Sequence, residues 1–316
     1  LIDPYAVMAA HPFVQAWVFK SGSLWVAGVV SRFVRSAIGD ERFEIAFVDN
    51  GELLDANLVV ALKNNAHIVI NFNLDNPFTT RDGLRWRLLR KALPHYDLFV
   101  TPRYSSVEAA ERLGAKCAIR VTQSADEIAH RPVILSVAET KYFRSDVAFV
   151  GTWMPERGPF MAELIQRGVP LRIFGPRWHK APEYKRLAAY IVNGHLNGDD
   201  YVKAISGTKI ALALLSKGNR DLHTTRSLEI PAIGRLLCGE RTSEHLEIFE
   251  DGKEAVFWSN AEECADLCLS LLKTPVIIEQ IAHAGTARVL ANGNFNESTL
   301  ARVLHTAGQL SVRTTK

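Results

Sequence analysis

Short runs of β-branched and aromatic residues alternate along this chain with segments whose apolar residues recur every three or four positions. Strands are predicted at Phe43–Val48, His67–Phe72, Leu98–Thr101, Cys117–Val121, Val147–Val150, Leu171–Phe174, Lys209–Leu215, Arg235–Cys238 and Ala255–Trp258. Helical patterns at 55–64, 82–93, 105–113, 159–167, 199–206, 225–233 and 261–273 lie between and after them. Such alternation implies parallel sheets with helices on both faces, hence an α/β fold. Two series of this kind predict two Rossmann-like parallel-sheet domains, residues 1–143 and 144–295. The division is set at 130–146, where Arg131-Pro132-Val133 and the polar run Glu139–Asp146 precede a fresh buried strand. A closing helical pattern covers 275–309; Gly293 to Asn296 is a break that sets off residues 296–316.

With 316 residues the chain can bury two separate cores. A net charge of +3 gives no ground for a nucleic-acid partner, so basic residues matter by clustering. The four cysteines, Cys117, Cys238, Cys264 and Cys268, show no paired CxxC spacing; Cys264 and Cys268, one helical turn apart, read as small core residues. No metal site is expected from them, and a reducing, cytoplasmic location is the simpler reading. No apolar run approaches the ~20 residues that span a bilayer. Leu24–Val30, followed by the basic Ser31–Arg35, is either a buried helix of the first domain or a face that touches lipid. The opening Leu1–Pro4 reads as the end of a strand.

The most polar insertion between a strand and a helix is 216–234, with Lys217, Arg220, Asp221, His223, Thr224, Thr225, Arg226 and Glu229. Polar groups at a strand's carboxyl end, where a helix starts, are how α/β proteins hold phosphorylated ligands: the helix N-terminus offers unpaired N–H groups. Arg220 and Arg226 are the best diphosphate clamps, Lys217 a secondary one, and Thr224 and Thr225 either cap the helix or face phosphate. Asp221 and Glu229 bracket seven residues, one in the loop and one in the first helical turns. Glu229 lies among apolar neighbours, where an unpaired carboxylate is costly; a ligand's hydroxyls or a neighbouring Arg would satisfy it.

The runs Val147–Arg157, Thr224–Ala232, Cys238–His245 and Phe249–Phe257, with the Asp221-x7-Glu229 spacing, resemble the CgeB-like (spore-maturation-protein type) glycosyltransferases of the GT-B superfamily. The resemblance implies two Rossmann-like domains facing across a cleft, with the last helix returning to the first domain. It also implies that one strand–helix unit preceding Leu1 is absent. The implied activity is hexosyl transfer from a nucleotide-diphosphate sugar in the second domain to an unidentified saccharide, protein or small-molecule acceptor on the first. No metal or other cofactor is implied, the nucleotide sugar being a co-substrate. In the family pattern the second carboxylate, here Glu229, reads the ribose. This chain has Asp221 where the superfamily often has Glu.

Several further residues fit that reading. Gly151 and Thr152 end a buried strand, with Arg157 just beyond as a diphosphate ligand. His223 either donates to a departing phosphate or is structural, and Phe174 either lies against the base or packs in the core. Thr242 and Glu244 follow another strand end. In the first half Asp75, at a strand's carboxyl edge, serves as base, acceptor anchor or simple turn former; Asn76 follows where the family often has a second Asp. Catalytic roles are thus expected for Asp75, Asp221 and His223. No Gly-x-Gly-x-x-Gly or Walker sequence is present, which disfavours dehydrogenase and P-loop readings. The rivals that remain are a nucleotide-sugar-binding or scaffold protein without transfer activity, and an epimerase on the same fold.

Overall fold

A computed structural model of the chain describes residues 1–8, 21–194, 196 and 198–314. It divides into two compact units, Leu1–Thr122 with Leu300–Lys316, and Gln123–Thr299.

The first unit holds helix α1 (Leu24–Ile38), strand β1 (Phe43–Asp49), α2 (Ala56–Leu62), β2 (Ala66–Phe72), α3 (Arg87–Ala92), β3 (Leu98–Thr101), α4 (Tyr104–Arg112) and β4 (Ala118–Arg120). The four strands are parallel in the order β1-β2-β3-β4. Alternation along β2 sends Val69 to one face, with Leu58, Leu89 and Phe99, and Ile68 and Ile70 to the other. Asp55 caps α2, accepting from the Leu58 N–H at 2.8 Å. Helix α1 turns Val30 and Val34 into this core while Trp25 is exposed.

The second unit holds α5 (Val137–Phe143), β5 (Ser145–Val150), α6 (Arg157–Gln166), β6 (Leu171–Gly175), α7 (Tyr184–Leu187), β7 (Ile191–Asn193), α8 (Gly198–Ser206), β8 (Thr208–Ala213), α9 (Thr225–Ala232), β9 (Leu236–Glu240), α10 (Ser243–Ile248), β10 (Val256–Trp258), α11 (Ala261–Leu272) and α12 (Pro275–Asn292). Its six strands are parallel in the order β10-β9-β8-β5-β6-β7. Helices cover both faces, giving two apolar layers, one around Ile210 and Leu236, the other around Ala211 and Leu237. Cys238, Cys264 and Cys268 meet in the first layer, their sulfurs within 4.8 Å of one another and all three side chains buried. Spacing alone did not join Cys238 to the other two.

A last helix, α13 (Asn296–Thr314), starts in the second unit and then buries Val303 and Ala307 against Ile70, Leu98 and Val100 of the first. The division between units falls at 122/123, not at 143/144. Residues 123–143 join the second unit because Ala125 bridges Phe295, Lys203 pairs with Glu139 at 2.9 Å, and Phe143 sits in that unit's core. The polar run 139–146 misled the sequence reading: its front half is α5, held by a reciprocal Ser136/Glu139 capping box. Among the described residues no helix is long and apolar enough to cross a membrane.

One close approach fixes how β5 and β6 end side by side. Gly175 has φ +133°, and a Cβ there would stand 2.4 Å from the Gly151 carbonyl oxygen. Gly175→Ala is therefore expected to destabilise the second unit by at least about 2 kcal/mol, from backbone strain and a backbone clash together. Urea unfolding with a lowered midpoint and unchanged slope would show it.

Candidate functional site

In a doubly wound sheet the ligand crevice lies outside the strands' carboxyl ends where the strand order reverses. In the second unit the chain runs from β5 outward to β6 and β7, then returns to the other side of β5 as β8, so the reversal lies between β5 and β8. Gly151 and Thr152 leave β5 at this point, and residues 214–224 lead from β8 into α9.

Arg157, the first residue of α6, is buried and spans the reversal point. Its Nη1 donates to the Thr152 carbonyl at 2.8 Å and its Nη2 to the Leu214 carbonyl at 3.2 Å. The guanidinium carbon lies 5.3 Å from the Phe149 ring centroid. Among the described residues it has no carboxylate within 4.0 Å, and its Nε is buried with no hydrogen-bond partner. Burial pushes its pKa down from the ordinary value, with more distant Glu156 and Glu240 opposing; a guanidinium nonetheless stays charged at any physiological pH. The sequence reading gave this residue a direct grip on diphosphate. The structure instead spends one N–H of each terminal nitrogen on a carbonyl, and the guanidinium is buried between the ends of β5 and β8.

Strand β8 stops two residues short of the expected Leu215 because side chains replace the ladder: Leu215 N–H donates to Glu240 Oε1 at 2.8 Å. Lys217 pairs with the same carboxylate, which holds the loop against the end of β9. A cavity of about 390 Å³ opens beside it, lined by Lys217, Arg220, Asp221, Glu240, Arg241 and Thr242 among others. Arg241 is committed to Asp251 at 2.5 Å and Glu263 at 3.2 Å. Arg220 is exposed, has φ +55°, and its guanidinium has no side-chain partner among the described residues. A non-glycine residue in left-handed backbone is strained, and such strain gathers at ligand sites.

Helix α9 begins next to this loop. Thr224 is its N-cap in extended backbone, and the Thr224 N–H donates to Ser227 Oγ at 3.1 Å. Thr225 and Arg226 N–H groups have no acceptor among the described residues. A short polar network lies below. Ser227 Oγ meets His245 Nε2 at 2.7 Å, and His245 Nδ1 donates to the Glu240 carbonyl at 2.6 Å. The carbonyl can only accept, so His245 carries its proton on Nδ1 and Ser227 donates to Nε2. Burial lowers the His245 pKa, and the ring stacks 5.1 Å from Phe257.

The remaining predicted residues divide. Glu229 is buried: Oε2 accepts from Tyr201 Oη at 2.8 Å and from Arg226, while Oε1 is 3.7 Å from His130 Nε2. The Arg226 guanidinium lies 3.9 Å over the Tyr201 ring. The neighbouring-arginine alternative for Glu229 is thus what this structure holds. Burial raises the Tyr201 pKa well above its ordinary value, so the phenol stays a donor. Phe174 is wholly inside the core, 6.3 Å from Phe143, and cannot lie against a base; only its carbonyl, accepting from Gly151 N–H at 2.8 Å, touches the site. His223 is also interior, with both ring nitrogens engaged, so it has no free donor for a leaving phosphate. Asp75 lies in the first unit, 3.7 Å from Arg85, which also pairs with the buried Glu52. Sequence reasoning missed Glu240, Tyr201, His130 and Gln123. Glu240 ends a predicted strand's continuation and was findable there; the other three carry no spacing that links them to the motif.

Residues 157–304 match a family model described as glycosyl transferase-like. Solved structures that the chain resembles share its two-unit GT-B fold. Sucrose-phosphate synthase of Thermosynechococcus elongatus is 11% identical, with TM-score 0.66 over 94% of this chain and 79% of that one. Anabaena HepE in complex with UDP is 10% identical, with TM-score 0.63 over 89% and 82%. The trehalose 6-phosphate synthase of Burkholderia multivorans is 10% identical, with TM-score 0.62 over 93% and 77%. No curated protein matches the sequence.

A histidine whose folded pKa is depressed binds fewer protons folded than unfolded, so stability is present above its unfolded value and drains away as pH falls. For His245 the loss should begin below about pH 6.5, the unperturbed histidine value. Urea midpoints measured from pH 8 to pH 5 should fall more steeply in the wild type than in His245→Asn.

Proposed function

We propose that this chain is a glycosyltransferase of the CgeB-like type, moving a sugar from a nucleoside-diphosphate sugar to an acceptor hydroxyl. The carrying observation is the β5/β8 reversal point. There, among the described residues, buried Arg157 joins the ends of β5 and β8 without a carboxylate partner, and the first N–H groups of α9 and the Arg220 guanidinium have no partner. An anion there would find helix N–H groups, the Arg157 field and the exposed Arg220 guanidinium together. A pyrophosphate leaving group develops negative charge as the glycosidic bond breaks, and these groups would stabilise it without requiring a divalent metal. Glu229 Oε1, which has only His130 at 3.7 Å, is the oxygen left for a ribose hydroxyl. Asp221 lines the 390 Å³ cavity and would contact the sugar. Asp75 of the first unit is assigned as acceptor anchor or base. Four free cysteines suit a reducing cytoplasm.

HepE, similar in fold, was crystallised with UDP, so UDP is the first nucleotide to test, followed by GDP and ADP. Calorimetry should show one nucleoside diphosphate binding, and its sugar conjugate releasing that diphosphate when acceptors are supplied. Failure of all three nucleotides to bind would overturn the reading. Binding without release over a wide acceptor panel would instead favour a nucleotide-sugar-binding protein, the reading that the internal pairing of Glu229 supports. Arg220→Gly separates site from scaffold. It removes left-handed strain and should leave stability unchanged or raise it by about 0.5–1 kcal/mol. It should also weaken nucleotide binding roughly tenfold or more, as expected for a lost charge-assisted contact.

A further inference from the structure

Two histidines tie the loop-and-helix motif Asp221–Glu229 to one short segment, residues 123–130, at the motif's two ends. The Gln123 N–H donates to His223 Nε2 at 3.0 Å, and His223 Nδ1 meets Glu244 Oε2. An amide N–H can only donate, so Nε2 must be the bare nitrogen and Nδ1 must carry the proton toward Glu244. At the other end the Asp126 N–H donates to His130 Nδ1 at 2.9 Å. The proton of His130 is therefore on Nε2, which faces Glu229 Oε1 at 3.7 Å, and the ring stands edge-on to Tyr201 at 5.9 Å.

The segment that carries these contacts is itself fastened. Ala125 N–H donates to the Asn294 carbonyl at 3.0 Å, Asn296 N–H to the Ala125 carbonyl at 2.9 Å, and Ser124 Oγ to Asn296 Oδ1 at 2.6 Å. It begins where the chain enters the second unit, after Thr122. A loop of polar residues has no sheet ladder to place it, so fixed external contacts must.

We propose that His223 and His130 are positioning residues: in their opposite neutral tautomers they hold the nucleotide-binding motif on the 123–130 segment. His223 sets the loop that carries Asp221 into α9, and the His130 ring, edge-on to Tyr201 and with Nε2 3.7 Å from Oε1, bounds the space in which the Glu229 carboxylate sits. Neither touches the ligand. The assignment of Glu244 follows from the same geometry, since it is the group that fixes the His223 tautomer. This inference rests on the nucleotide-binding reading of the site.

Three substitutions at one position test it. Gln places a carbonyl oxygen near the position of Nε2, whereas Asn reaches only that of Nδ1. His223→Gln should keep UDP affinity within about threefold of wild type, while His223→Asn and His223→Ala should lose roughly tenfold, the size of one buried hydrogen bond. Nitrogen-15 spectra of wild-type imidazoles should show His223 protonated at Nδ1 and His130 at Nε2. Amide exchange of Gln123 should slow on UDP addition. Equal UDP affinity in the three variants, or the reverse tautomers, would overturn the proposal. Should the His223 variants not fold, Glu244→Gln and His130→Phe give the same comparison, the first by scrambling the His223 tautomer in the spectra, the second by loosening UDP with His223 intact. If wild-type protein binds none of UDP, GDP or ADP, the nucleotide reading itself fails; if it binds and the variants match it, only the positioning proposal does.

Discussion

The second unit is organised around one buried charge. Arg157 joins the carbonyl ends of the β5 and β8 segments at the place where the sheet reverses its strand order. A guanidinium in that position is costly to desolvate, and two carbonyl dipoles repay only part of the cost. The remainder is stored as a positive potential directed at the strand ends. Gly175 and Gly151 make this geometry accessible: a side chain at Gly175 would strike the Gly151 carbonyl and part β5 from β6, and one at Gly151 would strike the Phe149 ring beside Arg157. An anion bound above the arginine would relieve the desolvated charge, so ligand affinity and fold are drawn from the same interaction.

Around that charge the loop 214–224 is held by carboxylates acting on backbone and cation alike. Glu240 accepts from Leu215 N–H and pairs with Lys217, and its own carbonyl fixes the His245 tautomer. His245 in turn orders Ser227, which satisfies the first amide of the α9 cap. The chain of contacts from β9 to the α9 N-terminus has one proton per bond and no group left to choose its own orientation. Networks of this kind are stiff when complete and costly when one member is lost. Lys217, the loop's other exposed cation, is paired with Glu240, which leaves Arg220 as the cation without a side-chain partner among the described residues.

Much of this architecture is legible in the sequence. Short β-branched and aromatic runs mark most strands, because inner strands such as β2, β3, β5 and β8 are buried on both faces, and three-to-four spacing marks the helices between them. Strand β7, only Ile191–Asn193, is too short to show a pattern. The break between units was misplaced because polar Glu139–Asp146 resembles a linker, although its charges cap α5 and pair with Lys203 and Lys209. For the site, the position of residues 216–229 at a strand's carboxyl end was legible, since it follows from topology. Side-chain direction was not. Phe174 and His223 have the chemistry of ligands, but alternation along β6 and the contact with Gln123 turn them inward. Tyr201 and His130, which decide how Glu229 sits, lie in other elements and share no spacing with it.

The internal pairing of Glu229 bears on what a ligand must do. Its Oε2 already accepts from a tyrosine that cannot ionise and from Arg226, whose guanidinium is stacked on that same ring. A ligand hydroxyl that displaced either donor would exchange one good hydrogen bond for another and gain little. A hydroxyl donating to Oε1 would add a bond at a poorly satisfied oxygen and displace nothing, because His130 stands at 3.7 Å, beyond hydrogen-bond range. In the proposed complex the discriminating contact would therefore be made by Oε1. Its direction is fixed by the Tyr201 and Arg226 contacts on the far oxygen, with the His130 ring bounding the near side, so the pair that occupies Oε2 is what aims Oε1.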